Sequence, residues 1–511
     1  MMEGVILYIS LSLSTFFFLS LWALITFLHR IWWKPFHIQQ KLHSQGLNGP
    51  PYKLLYGNTK DINKIICESM NKPLEQFTHQ ILPKIQPHIY EWLQIYGKNL
   101  LLWISYNPEI IVTEPELAKE ILQNKDNDYP KRDGTSLLKK LFGDSIVASD
   151  GARWAKQRNL ATHAFRTESL KNMFPAMVES AEVMLAKWKE HKDKEMEVFE
   201  EFRLLTSEVI SRTAFGSSYM EGKQIFTMLI KLTSLAVANG YKQKLPFSGI
   251  FGRNKEEIEA DDLKQGIKDS ILQIVDRREK LMIESKDLLG LLLKAYRSED
   301  ESNRITLDDI VDECKTFYLT GHETTATLLS WTMFLLALHQ DWQEKAREEV
   351  INVFAKDRPN PEGLSKLKTM NMIINECLRL YPPVISLQRK AKKEVHLGKI
   401  LVPSESHLSV EMMAVHHDPD IWGEDVHMFK PERFAEGVAK ATRNKVGTFI
   451  PFGFGPRMCV GMNFALNETK IALSMILQRY AFELSPTYVH SPIITITVRP
   501  QYGVPLLLYD L

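Results

Sequence analysis

Hydrophobic and polar positions fall into three regimes along the chain. The first is residues 5–28, a run of 24 residues without a charge. As a helix at about 1.5 Å per residue it is about 36 Å long, enough to cross a hydrocarbon core of about 30 Å with some tilt. Ser10, Ser12, Ser14 and Thr15 dilute the run but can bond back to their own helix. It is too long for the apolar part of a cleaved signal peptide, and no A-x-A-like site comes after it. Glu3 precedes it, while His29, Arg30, Lys34 and Lys41 come after, so the positive-inside bias places the remainder of the chain in the cytosol. Trp32 and Trp33 stand where an interfacial aromatic belt would. Gly46-Leu47-Asn48-Gly49-Pro50-Pro51 then breaks the helix, and its two prolines stiffen the chain as it enters the body. The chain divides into an anchor over 1–28, a basic and Pro/Gly-rich hinge over 29–51, and a body over 52–511.

The second regime, from about 60 to 379, has helical periodicity. The third is a set of short strand-like pieces at 100–106 with 110–113, at 395–402, and at 493–498 with 504–509. Together they predict a mainly α fold with a minor β region that joins early and late segments. The longest helix starts at Thr306, where Thr306-Leu-Asp-Asp309 has the form of a capping box, and runs to about Leu338. A helix of about 33 residues is about 50 Å long. It must run through the body, with its midpoint, Leu319-Thr-Gly-His-Glu-Thr-Thr325, near the centre.

Composition narrows the classes. In 511 residues, Lys+Arg number 63 and Asp+Glu 62, which gives no footprint for a nucleic-acid partner. No internal linker or repeat breaks the body, so it reads as one large domain. The four cysteines, Cys67, Cys314, Cys377 and Cys459, form no CxxC pair, so neither a zinc site nor a disulfide framework is indicated.

One cysteine has a special setting, Phe452-Gly-Phe-Gly455-Pro-Arg457-Met-Cys459-Val-Gly461. A haem iron held by sulfur needs a thiolate, and a helix opening just after Cys459 favours that charge. Gly455 permits a tight loop, and Gly461 permits close backbone approach to a macrocycle. Backbone N–H groups in the loop can bond the sulfur, and Arg457 can pair with a propionate. A buried free cysteine is the usual fate of a lone thiol, but six motif residues at fixed spacing argue against it here.

This decad resembles the haem-binding loop of the cytochrome P-450 superfamily. Other motifs fit the resemblance in order. Trp154-Ala-Lys-Gln-Arg158 resembles the family's W-x-x-x-R helix, whose Trp and Arg bond a propionate. Glu376-Cys-Leu-Arg379 resembles the E-x-x-R motif, and Phe429-Lys-Pro-Glu-Arg-Phe434 the segment whose Arg, here Arg433, completes a structural triad. Arg389 sits where related enzymes place another propionate-binding arginine. Gly321-His322-Glu323-Thr324-Thr325 resembles the oxygen-side motif, with Glu323 and Thr324 as the acid–alcohol pair that relays protons. Gly321 is expected to leave space for dioxygen. Thr320 departs from the Ala or Gly of the pattern, and its hydroxyl either adds a polar group to the pocket or narrows it. His322 is expected in packing or facing solvent, and the loop pair His416 and His417 is not a metal site.

The resemblance implies a large helical haem-thiolate monooxygenase fold over 52–511, haem b (iron protoporphyrin IX) on Cys459, and dioxygen as co-substrate. The chain carries no flavin or nicotinamide fingerprint, so electrons are expected from an NADPH-dependent reductase in the same membrane, with Arg153 and Lys156 as contacts. The nearest likeness is to plant microsomal members of the clan that oxidises hormones, steroids and terpenoids. That likeness implies an endoplasmic reticulum anchor and a lipophilic substrate touching Phe317, Thr320, Val384, Leu387 and Ile494. Two alternatives are a haem-thiolate isomerase or dehydratase and a non-enzymatic membrane haem protein. The first commonly lacks the acid–threonine pair and the second has no need of it.

Overall fold

The computed structural model describes residues 2–70, 77–190, 195–240, 255–281, 285–301 and 303–511. It is mainly helical, and the described strands form four small sheets.

The largest sheet joins the ends of the chain. Its order is Leu100–Ile104, Asn107–Val112, His407–Glu411, Ser386–Lys390. The first two strands are an antiparallel hairpin, and Asn107–Val112 then pairs in parallel with His407–Glu411, about three hundred residues later. The strand-like run at 395–402 is a hairpin of Val395–Leu397 with Ile400–Val402. Of the last two runs, Pro492–Ile494 pairs with Val498–Pro500, while Pro505–Asp510 pairs with Tyr480–Leu484 and Glu195–Glu197.

The anchor helix, Met2–Leu28, passes through one π turn, His29–Trp33, into the helix Lys34–His43. Most of its described apolar side chains are bare, with Phe16 71% and Trp22 68% exposed, and it is long and apolar enough to cross a membrane. The stretch expected as a hinge is mostly ordered helix. Ile38, Leu42 and Leu47 are buried against Leu101, Ile110 and Leu408 of the large sheet. The predicted break falls at Gly46, whose φ is +86°. Beyond it Leu101 N–H donates to Asn48 O at 2.9 Å, and a Cβ on Gly49 would stand 1.9 Å from Leu101 O.

The long helix is Leu307–Leu338, and its capping box is made in full. Thr306 Oγ1 accepts from Asp309 N–H at 3.1 Å, and Asp309 Oδ2 accepts from Thr306 N–H at 2.7 Å. From Glu313 to Ala337 every residue is buried except Thr320, Gly321 and Thr324. A helix buried on all sides runs through the middle of a large protein, and this one has a single open window.

Candidate functional site

The cysteine loop is closed by its own backbone. Gly453 N–H donates to Ile450 O at 2.9 Å, Met458 N–H to Gly455 O at 3.1 Å, and Cys459 N–H to Phe452 O at 2.9 Å. Gly455 has φ +75°, and a Cβ there would stand 2.3 Å from Leu122 O, so only glycine lets the loop lie on the helix Pro115–Gln123. The helix Met462–Leu477 begins immediately after Gly461. A Cβ on Gly461 would meet nothing within 4 Å. Cys459 has open surface, yet protein surrounds it closely enough that burial pushes its thiol up. The surface it keeps therefore faces an internal space. A hydrogen bond from the Gly461 backbone and the charge of Arg158 both pull the thiol back toward the thiolate.

The long helix that carries the window packs against Met462–Leu477, the helix that opens after Cys459. Phe317 takes part in that packing. It stacks on Phe165 at 5.4 Å, and Phe165 meets Phe464 edge-on at 5.5 Å. Phe317 is thus a buried core residue, which departs from the expectation that it touches substrate. Thr320, Val384, Leu387 and Ile494 are only partly buried. The Thr320 hydroxyl is already satisfied by Thr316 O at 2.9 Å, so it adds a methyl group to the space and no free donor.

Cations collect on one side of the loop. Arg389 is 2% exposed and its Nε has no partner; Arg457 Nη1 has none either. The Arg457 guanidinium lies over the Trp154 ring at 4.5 Å and is tied to Ser149 O and Asp150. Lys131, which bridges Arg389 across an antiparallel backbone contact, belongs to the group. Burial and then the charges of Arg389 and Arg457 push the Lys131 ammonium down to about 7, and burial followed by Arg457 pushes Arg389 down to about 10. The carboxylate acting on all three is Asp150. Arg389 and Arg457 stay charged at pH 7 while Lys131 is held close to losing its proton, so the group carries more positive charge than Asp150 matches, with two orphaned N–H groups to bond an anion. A group carrying two carboxylates fits this cradle, and haem has two propionates. Arg158 reaches the loop itself. Its Nη1 donates to Met458 O at 2.6 Å, beside Cys459.

On the oxygen side, Thr324 Oγ1 donates to Thr320 O at 2.8 Å, one turn back. Glu323 is buried and turns elsewhere. Its Oε1 accepts from Thr497 Oγ1 at 3.2 Å, and its Oε2 lies 3.8 Å from Arg203 Nε. Acid and alcohol are not bonded to each other. Gly321 also corrects an expectation: a Cβ there would stand 2.8 Å from Ile210 Cδ1, so the missing side chain admits the helix Val198–Phe215 rather than a ligand. His322 is fully enclosed, with Nδ1 2.6 Å from Tyr318 O. His416 and His417 lie at the end of the short helix Met412–His416 rather than in a loop. His416 Nε2 accepts from Ile450 N–H, and His417 Nε2 lies 2.9 Å from Leu380 O.

Glu376 and Arg379 form a bidentate pair with no solvent exposure, and Arg433 Nε lies 3.4 Å from Glu376 Oε1. The two residues expected to meet a reductase are engaged within the chain: Arg153 binds Asp309 and Asp144, and Lys156 donates to Arg304 O. Lys131, Asp150, Arg203, Thr497 and Ile210 are not foreseeable from the sequence. They lie in no motif, and only the pairing of chain segments brings them to the site.

Residues 73–504 match the family described as Cytochrome P450. The chain is 54% identical to Cytochrome P450 CYP749A22 of Panax ginseng, over 98% of this chain and 96% of that protein. It is 41% identical to 11-oxo-beta-amyrin 30-oxidase of Glycyrrhiza uralensis, over 94% of each, and 38% identical to Cytochrome P450 734A1 of Arabidopsis thaliana, over 93% and 92%. The chain belongs to the cytochrome P450 family. It is therefore an oxidoreductase of the monooxygenase class whose cofactor is haem b, using dioxygen, a redox partner and a lipophilic substrate.

Proposed function

We propose that this protein inserts one oxygen atom of dioxygen into a terpenoid or similarly lipophilic molecule. Electrons come from an NADPH-dependent reductase in the same membrane. Two relatives whose names state oxidation of 11-oxo-beta-amyrin support the terpenoid class. Residues 1–28 anchor the chain in the endoplasmic reticulum membrane, and the body from 52 to 511 faces the cytosol. The cations just past the anchor support this orientation.

The observation that carries the reading is the juxtaposition of an exposed Cys459 with a cradle of buried cations, two of whose N–H groups have no partner. Bound haem supplies the iron at which dioxygen is reduced and split. The chain's own residues do the rest. Cys459 ligates the iron, while the Gly461 backbone N–H and the Arg158 guanidinium stabilise the thiolate. Arg389, Arg457 and Lys131 hold the propionates, with Trp154 under Arg457. Phe452 closes the loop through its carbonyl. Glu376, Arg379 and Arg433 fix the segment leading to that loop. Glu323 Oε1 and Thr324 Oγ1 hand protons toward the oxygen side, with a water bridging them because they do not touch. Thr320, Val384, Leu387 and Ile494 form the apolar wall against the substrate.

The test is the reduced, carbon monoxide-bound difference spectrum of the full chain in microsomes with a plant reductase. A Soret band shifted far to the red and lost in Cys459→Ala is the expected result. A band like that of a histidine-ligated globin overturns the proposal.

A further inference from the structure

Behind the second half of the long helix lies a cluster of aromatic rings that the oxygen chemistry does not use. Trp331 and Tyr381 are both fully buried and stack at 4.4 Å between centroids, 19° from parallel. Tyr381 Oη is 2.7 Å from His79 Nδ1. A second pair repeats the arrangement further out, where Tyr488 Oη is 2.7 Å from His490 Nδ1. His490 meets Tyr381 at 6.2 Å and stacks on Phe334 at 5.2 Å, and Phe334 meets Tyr488 at 5.1 Å. Tyr488 is only partly buried, so the series runs from the interior to solvent.

Packing alone is served by phenylalanine at 381 and 488. What packing does not require is two phenols, each held against an imidazole. Burial first, and then neighbouring histidines and Arg379, keep His79 down at about 3, and burial keeps His490 at about 4. Both imidazoles are neutral at pH 7, so each has one lone pair, and in the tautomer with its hydrogen on Nε2 the phenol donates to Nδ1. A tyrosine gives up an electron readily only when its proton has somewhere to go, and each of these has a base in place. Trp331 Nε1 donates to the carbonyl of Val498 at 2.6 Å, which is no base, so an oxidised indole there keeps its proton and stays a strong oxidant.

We propose that Trp331, Tyr381 and Tyr488 form a chain that drains oxidising equivalents to the surface when oxygen is reduced without a substrate to accept it. This rests on the haem-thiolate reading above. Trp331 lies seven residues past Thr324 on the same helix, about 10 Å along its axis. Trp331 gives one electron toward the oxidised cofactor and becomes a radical cation. Tyr381 refills it across the stacked rings while its phenolic proton moves to His79 Nδ1, leaving a neutral tyrosyl radical and an imidazolium. Tyr488 reduces that radical in turn, passing its own proton to His490, and the proton on His79 returns to Tyr381. A small thiol in solution then gives one electron to Tyr488. The proton on His490 goes back to the phenol, and the thiol loses its own proton to water. In sum one electron has moved inward and one thiol has become a thiyl radical.

The experiment treats the full haem-loaded chain in lipid nanodiscs with hydrogen peroxide, without substrate. It reads the frozen sample by electron paramagnetic resonance and locates a nitroso spin trap by mass spectrometry. A tyrosyl signal with the trap on Tyr488 is expected. Trp331→Phe and Tyr381→Phe each lose that adduct, and His79→Gln, which keeps a polar partner but no base, diminishes it. An undiminished Tyr488 adduct in folded Trp331→Phe and Tyr381→Phe overturns the chain. So does a wild type whose carbon monoxide spectrum is that of a thiolate haem but which forms no tyrosyl radical. A wild type without that spectrum overturns the haem-thiolate reading, and this inference with it.

Discussion

Glu376 and Arg379, three residues apart on one helix, are joined by hydrogen bonds of 2.7 and 2.8 Å, and neither side chain reaches solvent. The rest of the Arg379 guanidinium donates to the carbonyls of His416, Val426 and Met428. Glu376 Oε1 also accepts from Lys430 N–H at 3.0 Å. The pair therefore holds the backbone from 416 to 430 onto the helix Lys368–Leu380. Removing one partner of a buried pair leaves an uncompensated charge and costs about 3–5 kcal/mol. Glu376→Ala is expected to lose most of its haem, read as Soret absorbance per mole of protein, and Glu376→Gln to lose less because it still accepts from Lys430. A folded, fully loaded Glu376→Ala would show that the pair is dispensable.

Gly321 is a packing residue. A methyl group there gains about 1 kcal/mol of helix propensity, but it stands 2.8 Å from both Cδ1 and Cγ1 of Ile210. Overpacking costs about 1–3 kcal/mol. Gly321→Ala is expected to lower the thermal midpoint, and adding Ile210→Val, which shortens the facing chain, to recover part of the loss. If Gly321→Ala instead keeps its stability and loses only activity, the glycine serves the oxygen pocket after all.

Residues at fixed spacing on one element are legible in the sequence. Thr306 and Asp309 share a helix terminus, Glu376 and Arg379 share a helix face, and Phe452 to Gly461 share a loop, so spacing alone brings each set together. Lys131 and Arg389 are neighbours only because strand pairing makes them so, and no local pattern reports that. The bond from Thr324 to Thr320 O is legible because it is local. The partners of Glu323 are not, because Arg203 and Thr497 come from distant segments. Phe317 has helical spacing that fits either the cavity or the core, and only Phe165 decides it.

The chain's N-terminal boundary can be tested by truncation. Most of the described side chains of the helix Met2–Leu28 are exposed, whereas Leu42 is fully buried and Leu47 2% exposed against the large sheet. Deleting 2–28 is expected to leave a folded, haem-binding protein that no longer pellets with membranes. Deleting 2–47 strips two buried leucines from the sheet, at about 1.5–3 kcal/mol each, and is expected to lower the thermal midpoint sharply. Equal stability of the two truncations would mean that the helix Lys34–His43 adds nothing to the fold.

His416 ties stability to pH. It is fully enclosed, and burial together with the Arg379 charge holds its folded value at about 3, against an ordinary 6.5. Between those values the unfolded chain binds a proton that the folded chain does not, so stability rises with pH across this window. The contribution is complete above 6.5 and is lost as pH falls toward 3, by up to about 1.4 kcal/mol for each pH unit. Glu411 runs the other way, because burial holds its carboxyl up at about 7, and stability from that group is lost as pH rises from 4.5 to 7. The slope of the whole protein is therefore a difference, and a variant is needed to isolate one residue. His416→Gln keeps an acceptor for the Ile450 N–H and cannot titrate. It is expected to be less stable than the wild type at pH 7, with the gap narrowing toward pH 5 in urea unfolding of the 29–511 chain. Parallel curves for the two proteins would mean that His416 takes up its proton without unfolding.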